Sequence, residues 1–185
     1  DKETPGPCAG IFYDLGPHLV DQALQLFGMP RAIFADITIL RPISKVDDYI
    51  ELILFYEGLR VRLKAGYLVK EPVPAYVIHG NLGSFHKSRG DIQEAELKKF
   101  VIPGSTEWGK EPESQQGILN VIRDGETLRK LVPTENGNYG IYYTRLYEAL
   151  RNNAPLPVTA EEGRNVIDII EKAYQSVQKK RIIAC

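Results

Sequence analysis

The chain has 185 residues, enough for one well-buried core and too few for two ordinary enzyme domains, so residues 1–185 are read as a single domain. Its 23 basic side chains against 24 acidic ones leave a formal net charge of −1, which argues against nucleic acid or an anionic membrane as partner. No apolar run approaches the roughly 20 residues of a membrane span, and the opening DKETPGPC lacks an apolar signal-peptide core. Cys8 and Cys185 form no disulfide framework, so a cytoplasmic protein with reduced thiols is expected.

The first periodic stretch is GIFYDLGPHLVDQALQLFG, from Gly10 to Gly28. A helix starting near Tyr13 turns about 100° per residue, which brings Asp14, His18, Asp21 and Gln25 onto one stripe. Leu15, Leu19, Ala23, Leu26 and Phe27 are left for the flank and back, facing a core. Pro17 suits only a first turn, which sets His18 close to a helix N-terminus. A carboxylate one turn below an imidazole can hold a proton and pass it on near neutral pH. The same stripe also fits a plain solvated face. Asp14, His18 and Asp21 have the chemistry to bind a metal, but no further ligand cluster follows nearby in sequence and no metal is expected.

Gly28 and Pro30 stop the helix. Ala32 to Arg41 then alternates with period two, burying Ile33, Ala35, Ile37 and Ile39. Asp48 to Tyr56 and Leu59 to Tyr67 form a hairpin across Glu57-Gly58, whose Arg60, Arg62 and Lys64 read as a solvated sheet face. HGNLG joins two further short strands that carry His79 and His86, which read as structural histidines. Asp91 caps a short helix, IQEAELKKF. The polar stretch 102–117 holds the only tryptophan, Trp108, suited to stacking on a sugar or partner or to anchoring its own loop. Asp124-Gly125 turns a last hairpin. A helix over Asn138 to Asn152 presents Ile141, Tyr142, Leu146, Ala149 and Leu150 to a core. Thr159 and Glu162 make a capping box for the helix that runs to about Gln178, and Arg181 to Ala184 adds a final strand.

Helices beside a mostly antiparallel sheet define an α+β fold. There is no G-x-G-x-x-G after a strand and no alternating βαβ, so no dinucleotide-binding residues are expected in this chain.

The motif Gly10-x-x-x-Asp14-x-Gly16-x-His18-x-x-Asp21, closed by Phe27-Gly28, resembles the signature of the second domain of the Gfo/Idh/MocA family of NAD(P)-dependent oxidoreductases. The tail, Tyr142-Tyr143 and then PLPVTAEEGRNVIDIIEKAYQSVQKKR, is similar to the end of that family's chains. The resemblance implies an open-faced sheet with helices on one side, following a Rossmann domain that this chain lacks. It implies that His18 is the active-site proton-transfer group and that Asp14 is the carboxylate that orients substrate hydroxyls. Asp21 is added to the expected substrate-binding set; one turn beyond His18, its carboxylate suits orienting that ring, capping neighbouring backbone or facing water.

The parent protein is then expected to be a dehydrogenase or reductase acting on a sugar, polyol or related hydroxy compound. It would use NAD or NADP and form a homodimer or higher oligomer through the sheet, with Phe34, Leu40 and Tyr49 outward. The isolated chain is expected to bind no cofactor and to be inactive. The alternatives are a non-catalytic regulatory or interaction relative, or a side-branch that cleaves glycosides with NAD.

Overall fold

The computed structural model describes residues 4–104 and 108–185, and residues 105–107 of the polar stretch 102–117 therefore lie outside the described residues. The elements run Ile11–Phe27 (α1), Ala32–Thr38 (β1), Tyr49–Tyr56 (β2), Leu59–Gly66 (β3), Tyr76–Gly80 (β4), Gly83–Lys87 (β5), Gln93–Lys98 (α2), Gly117–Arg123 (β6), Glu126–Val132 (β7), Gly140–Asn152 (α3), Ala160–Lys179 (α4) and Ile183–Ala184 (β8). The fold is α+β, as the alternation of periods implies. Its strands form two antiparallel four-stranded sheets, in the orders β3-β2-β1-β8 and β4-β5-β6-β7, where a single sheet was expected. The chain groups into two compact units, the first made by the chain up to Lys70 together with Val158–Cys185, the second by Glu71–Pro157.

The first unit has a layer of two helices on one sheet. Strand alternation turns Ile33, Ala35 and Ile37 of β1 and Ile50, Leu52 and Leu54 of β2 inward, against Phe12, Val20 and Ala23 of α1 and Val166, Ile169, Ile170 and Ala173 of α4. Each fully buried Leu or Ile contributes roughly 1.5–3 kcal/mol, against about 0–1 kcal/mol for an exposed ion pair such as Arg31–Glu57. The apolar layer therefore decides the fold. The buried side of α1 is Ile11, Phe12, Gly16, Val20 and Ala23. Leu15, at 39% exposure, and Leu26, at 60%, point outward, contrary to the expected greasy face. The buried side runs instead through Gly16, which lies against the Phe12 ring one turn back, where a Cβ would collide.

Helix α4 is capped as its sequence predicts: the Thr159 amide donates to Glu162 Oε2 at 2.7 Å and the Glu162 amide donates to Thr159 Oγ1 at 3.2 Å. The basic face of β3 is self-paired, since Arg62 and Lys64 both meet Glu51.

In the second unit Asp124 and Gly125 take φ values of 53° and 81°, the two positive values that a tight primed hairpin turn requires. Trp108 is buried, and its indole N–H donates to Gln93 Oε1 at 3.2 Å, an oxygen that also accepts the Tyr139 amide at 2.8 Å. Trp108 is thus an anchor of its own loop. The expected core stripe of α3 is not buried: Ile141 and Tyr142 are exposed and Leu150 is 72% exposed. The reason is that this side of the helix lines open grooves, one of about 470 Å³ bounded by Leu97, Pro103, Trp108, Tyr139, Tyr142 and Tyr143.

One buried hydroxyl joins the last helix to the sheet. Ser176 Oγ accepts the Ala35 amide at 3.1 Å and donates to the Arg181 carbonyl at 2.7 Å. Replacing Ser176 by Ala orphans a buried strand amide, so a loss of about 1–3 kcal/mol is expected, read as a lower denaturant midpoint with unchanged slope.

Candidate active site

All the residues singled out by the helix motif lie on α1, in the first unit. The helix begins at Ile11, two residues earlier than its periodicity indicates, so Pro17 is its seventh residue and not part of its first turn. His18 therefore stands in the body of the helix, and Asp14 is the acidic residue of the first turn. The two are one turn apart, about 6 Å along the axis. Asp14 is half-buried, whereas His18 and Asp21 are exposed. Asp21 makes no hydrogen bond to His18 among the described residues. Gln25, the last rung of the stripe, is exposed. Among the described residues no group of three or more His, Cys, Asp and Glu is placed to hold a metal ion. His79 and His86 meet edge to face on the exposed surface of the other unit, with ring centroids 5.6 Å apart, and His79 Nδ1 is 2.8 Å from Ser84 Oγ.

What holds the first turn of α1 is not visible in its own sequence. Gly10, the residue at its N-cap, has no side chain to offer, and its φ of 97° is one that a glycine adopts readily. The cap comes from the loop before β2. The Ile11 amide donates to the Asp47 carbonyl at 2.9 Å and the Phe12 amide donates to Asp47 Oδ2 at 2.9 Å. The Tyr174 hydroxyl of α4 donates to the other carboxylate oxygen, Oδ1, at 3.1 Å. The Tyr174 ring also lies 5.5 Å from both Phe12 and Tyr13, stacked on the latter. Burial, followed by the Asp47 charge and hydrogen bond, pushes the Tyr174 phenol far above its ordinary value and keeps it a donor. A β-carbon on residue 10 would run into the Asp47 carboxylate, so glycine is required there on two counts.

The adjacent Asp48 faces the other way. It is 2% exposed and accepts the Leu40 amide at 2.7 Å, the Arg41 amide at 3.0 Å and Arg41 Nε at 2.9 Å. Burial works to raise its carboxyl, but these donors outweigh it and hold the group below the usual carboxylate range.

A dinucleotide needs a place for its pyrophosphate, most often a helix N-terminus with free amides. At α1 the leading amides are taken by Asp47, and at α4 by Thr159 with Glu162 beside it. These helix ends therefore do not fit the phosphates of NAD(P).

Two helices packed on an antiparallel sheet make the first unit an α+β layer. The sequence model of the oxidoreductase family, C-terminal alpha/beta domain (GFO_IDH_MocA_C), matches residues 2–184, and the chain belongs to this family. It is 41% identical over 182 residues to scyllo-inositol 2-dehydrogenase (NADP(+)) IolW of Bacillus subtilis, covering 98% of this chain and 51% of that protein. It is 35% identical over 184 residues to the oxidoreductase YdgJ of Escherichia coli, covering 100% of this chain and 52% of that one. The solved structure of YvaA from Bacillus subtilis superposes with a TM-score of 0.94 at 40% identity, over 100% of this chain and 54% of that one. The chain thus spans about half the length of the curated relatives it matches. No helix among the described residues is long and apolar enough to cross a membrane.

The sign of the Asp48 shift sets an acid limb. A carboxyl lowered by folding contributes its full stability above its unfolded value of about 4 and loses it as the pH falls through the lowered folded value. Urea midpoints measured from pH 7 downward are expected to fall across that window, and Asp48→Asn is expected to start lower and flatten the limb.

Proposed function

We propose that residues 1–185 act as the substrate domain of an NAD(P)-dependent dehydrogenase or reductase whose substrate is a polyol, sugar or related hydroxy compound. The observation that carries this reading is the placing of Asp14 and His18 one turn apart on a helix whose opposite side is locked into the core. Oxidising a secondary alcohol requires a base for the hydroxyl proton as hydride leaves the carbon. In this reading a ring nitrogen of His18 takes that proton, and the Asp14 carboxylate accepts hydrogen bonds from the hydroxyls of the substrate and orients the carbon that reacts. Asp21, exposed one turn beyond His18, contacts the far end of the substrate. NAD(P), held by the remainder of the full-length protein, supplies the hydride acceptor. The 41% identity to an enzyme named for scyllo-inositol makes a cyclic polyol the first substrate to assay.

The helix-free face of the first sheet carries Phe34, 37% exposed, beside Ile53 and Phe55 of β2. We take this face as the contact with a second copy, in a cytoplasmic setting that suits the free, exposed Cys8 and Cys185. Light scattering of the full-length protein is expected to give a dimer or larger species, and Phe34→Glu is expected to shift it toward monomer.

The catalytic test is made on the full-length protein with scyllo-inositol and NADP+. His18→Asn is expected to lower kcat by about 10²–10⁴, the range of a lost acid–base group, whereas Asp14→Asn is expected to act mainly through a higher KM for the polyol. Full activity in His18→Asn would reject the assignment.

A further inference from the structure

We propose that Asp47 is a positioning residue of the candidate site: from the loop before β2 it fixes the first turn of α1, and through it the attitude of Asp14 and His18 toward a hydroxyl substrate. The inference rests on the reading of Asp14 and His18 given above.

Three observations support it. First, Asp47 satisfies two successive helix amides, Ile11 with its carbonyl and Phe12 with its carboxylate, both at 2.9 Å, across 35 residues of sequence. Capping of this kind is normally supplied by the residue that precedes the helix, as Thr159 does for α4. Here Gly10 leaves the task to a distant loop, so the placing of that loop becomes the placing of the helix end.

Second, both carboxylate oxygens are engaged, Oδ2 by Phe12 and Oδ1 by Tyr174. Rotating the side chain breaks one bond or the other, so the clamp fixes direction as well as distance. With the Tyr174 ring against Phe12 and Tyr13, the clamp touches Ile11, Phe12 and Tyr13, the three residues immediately before Asp14. Third, Pro17 has no amide hydrogen, so the ladder lacks the rung that would tie residue 17 back to Tyr13. The first turn is coupled to the second by fewer bonds than in an unbroken helix, and its outer clamp carries more of its orientation.

A group that positions catalytic atoms shows itself in kinetic constants, because small misplacements are felt strongly in the rate. In the full-length protein with scyllo-inositol and NADP+ as probes, Asp47→Ala is expected to lower kcat/KM by about tenfold or more through the polyol KM. KM for NADP+ is expected to stay within about twofold. Asp47→Asn, which keeps an oxygen for the Phe12 amide, is expected to recover part of the loss. A lower melting temperature with wild-type kinetic constants in the folded enzyme overturns the inference, since a purely structural cap would give that result.

If Asp47→Ala does not fold, Tyr174→Phe removes only the hydroxyl that steers Oδ1, and an unchanged polyol KM in that variant overturns the inference. If the wild-type protein turns over neither scyllo-inositol nor other polyols, the functional reading fails separately. Heteronuclear NMR of Asp47→Ala then decides the positioning claim. Shifted Asp14 and His18 resonances with those of Gln25 unmoved support it, and unmoved Asp14 and His18 resonances overturn it.

Discussion

In the first unit one aspartate closes a helix that cannot close itself. A buried amide without a partner costs about 1–3 kcal/mol, whereas a negative charge at a helix N-terminus contributes about 0.3–1 kcal/mol, so the hydrogen bonds of Asp47 outweigh its dipole effect. Satisfying the Ile11 and Phe12 amides requires the loop before β2 to approach the backbone of residue 10, and that approach excludes every side chain there. Asp48 then binds the same loop to Leu40 and Arg41, in the turn that follows β1. Two consecutive aspartates thus hold opposite sides of one short segment, one toward a helix and the other toward the turn after β1.

The order and type of the elements were legible because each carries its own period or punctuation. The Thr159/Glu162 box, the Asp124-Gly125 turn and the alternation of Ile33, Ala35 and Ile37 are local signals, and the structure realises each of them. What was not legible depends on partners remote in sequence. The leucines of α1 suggest a core side, but its buried side runs through Phe12, Gly16 and Val20, and a glycine in an apolar periodicity adds no visible weight. The apolar stripe of α3 was read as core because periodicity reports an amphipathic helix without saying what its apolar side meets. The division of the strands into two sheets is a matter of ladder pairing, on which short-range patterns are silent.

The helix carrying Asp14 and His18 was recognisable from its motif, whereas Asp47 was not. The one available signal was negative: a helix preceded by Ala-Gly, with no Ser, Thr, Asp or Asn at its N-cap, must borrow its cap from elsewhere. Nothing in the spacing says from where. The starts of α1 and α4 already satisfy protein groups, Asp47 at the one and Thr159 at the other.

The clamp on α1 has a consequence for the order of assembly. Tyr174 lies 127 residues beyond Asp47, and the strand amide of Ala35 waits for Ser176, 141 residues beyond it. When α1, β1, β2 and β3 have been delivered by the ribosome, Asp47 is present but the phenol that fixes the direction of its carboxylate is not. Long-range closures of this kind are slow because chain entropy must be lost before the contact is gained. The clamp on the first turn of α1 is thus complete only when translation has passed Tyr174.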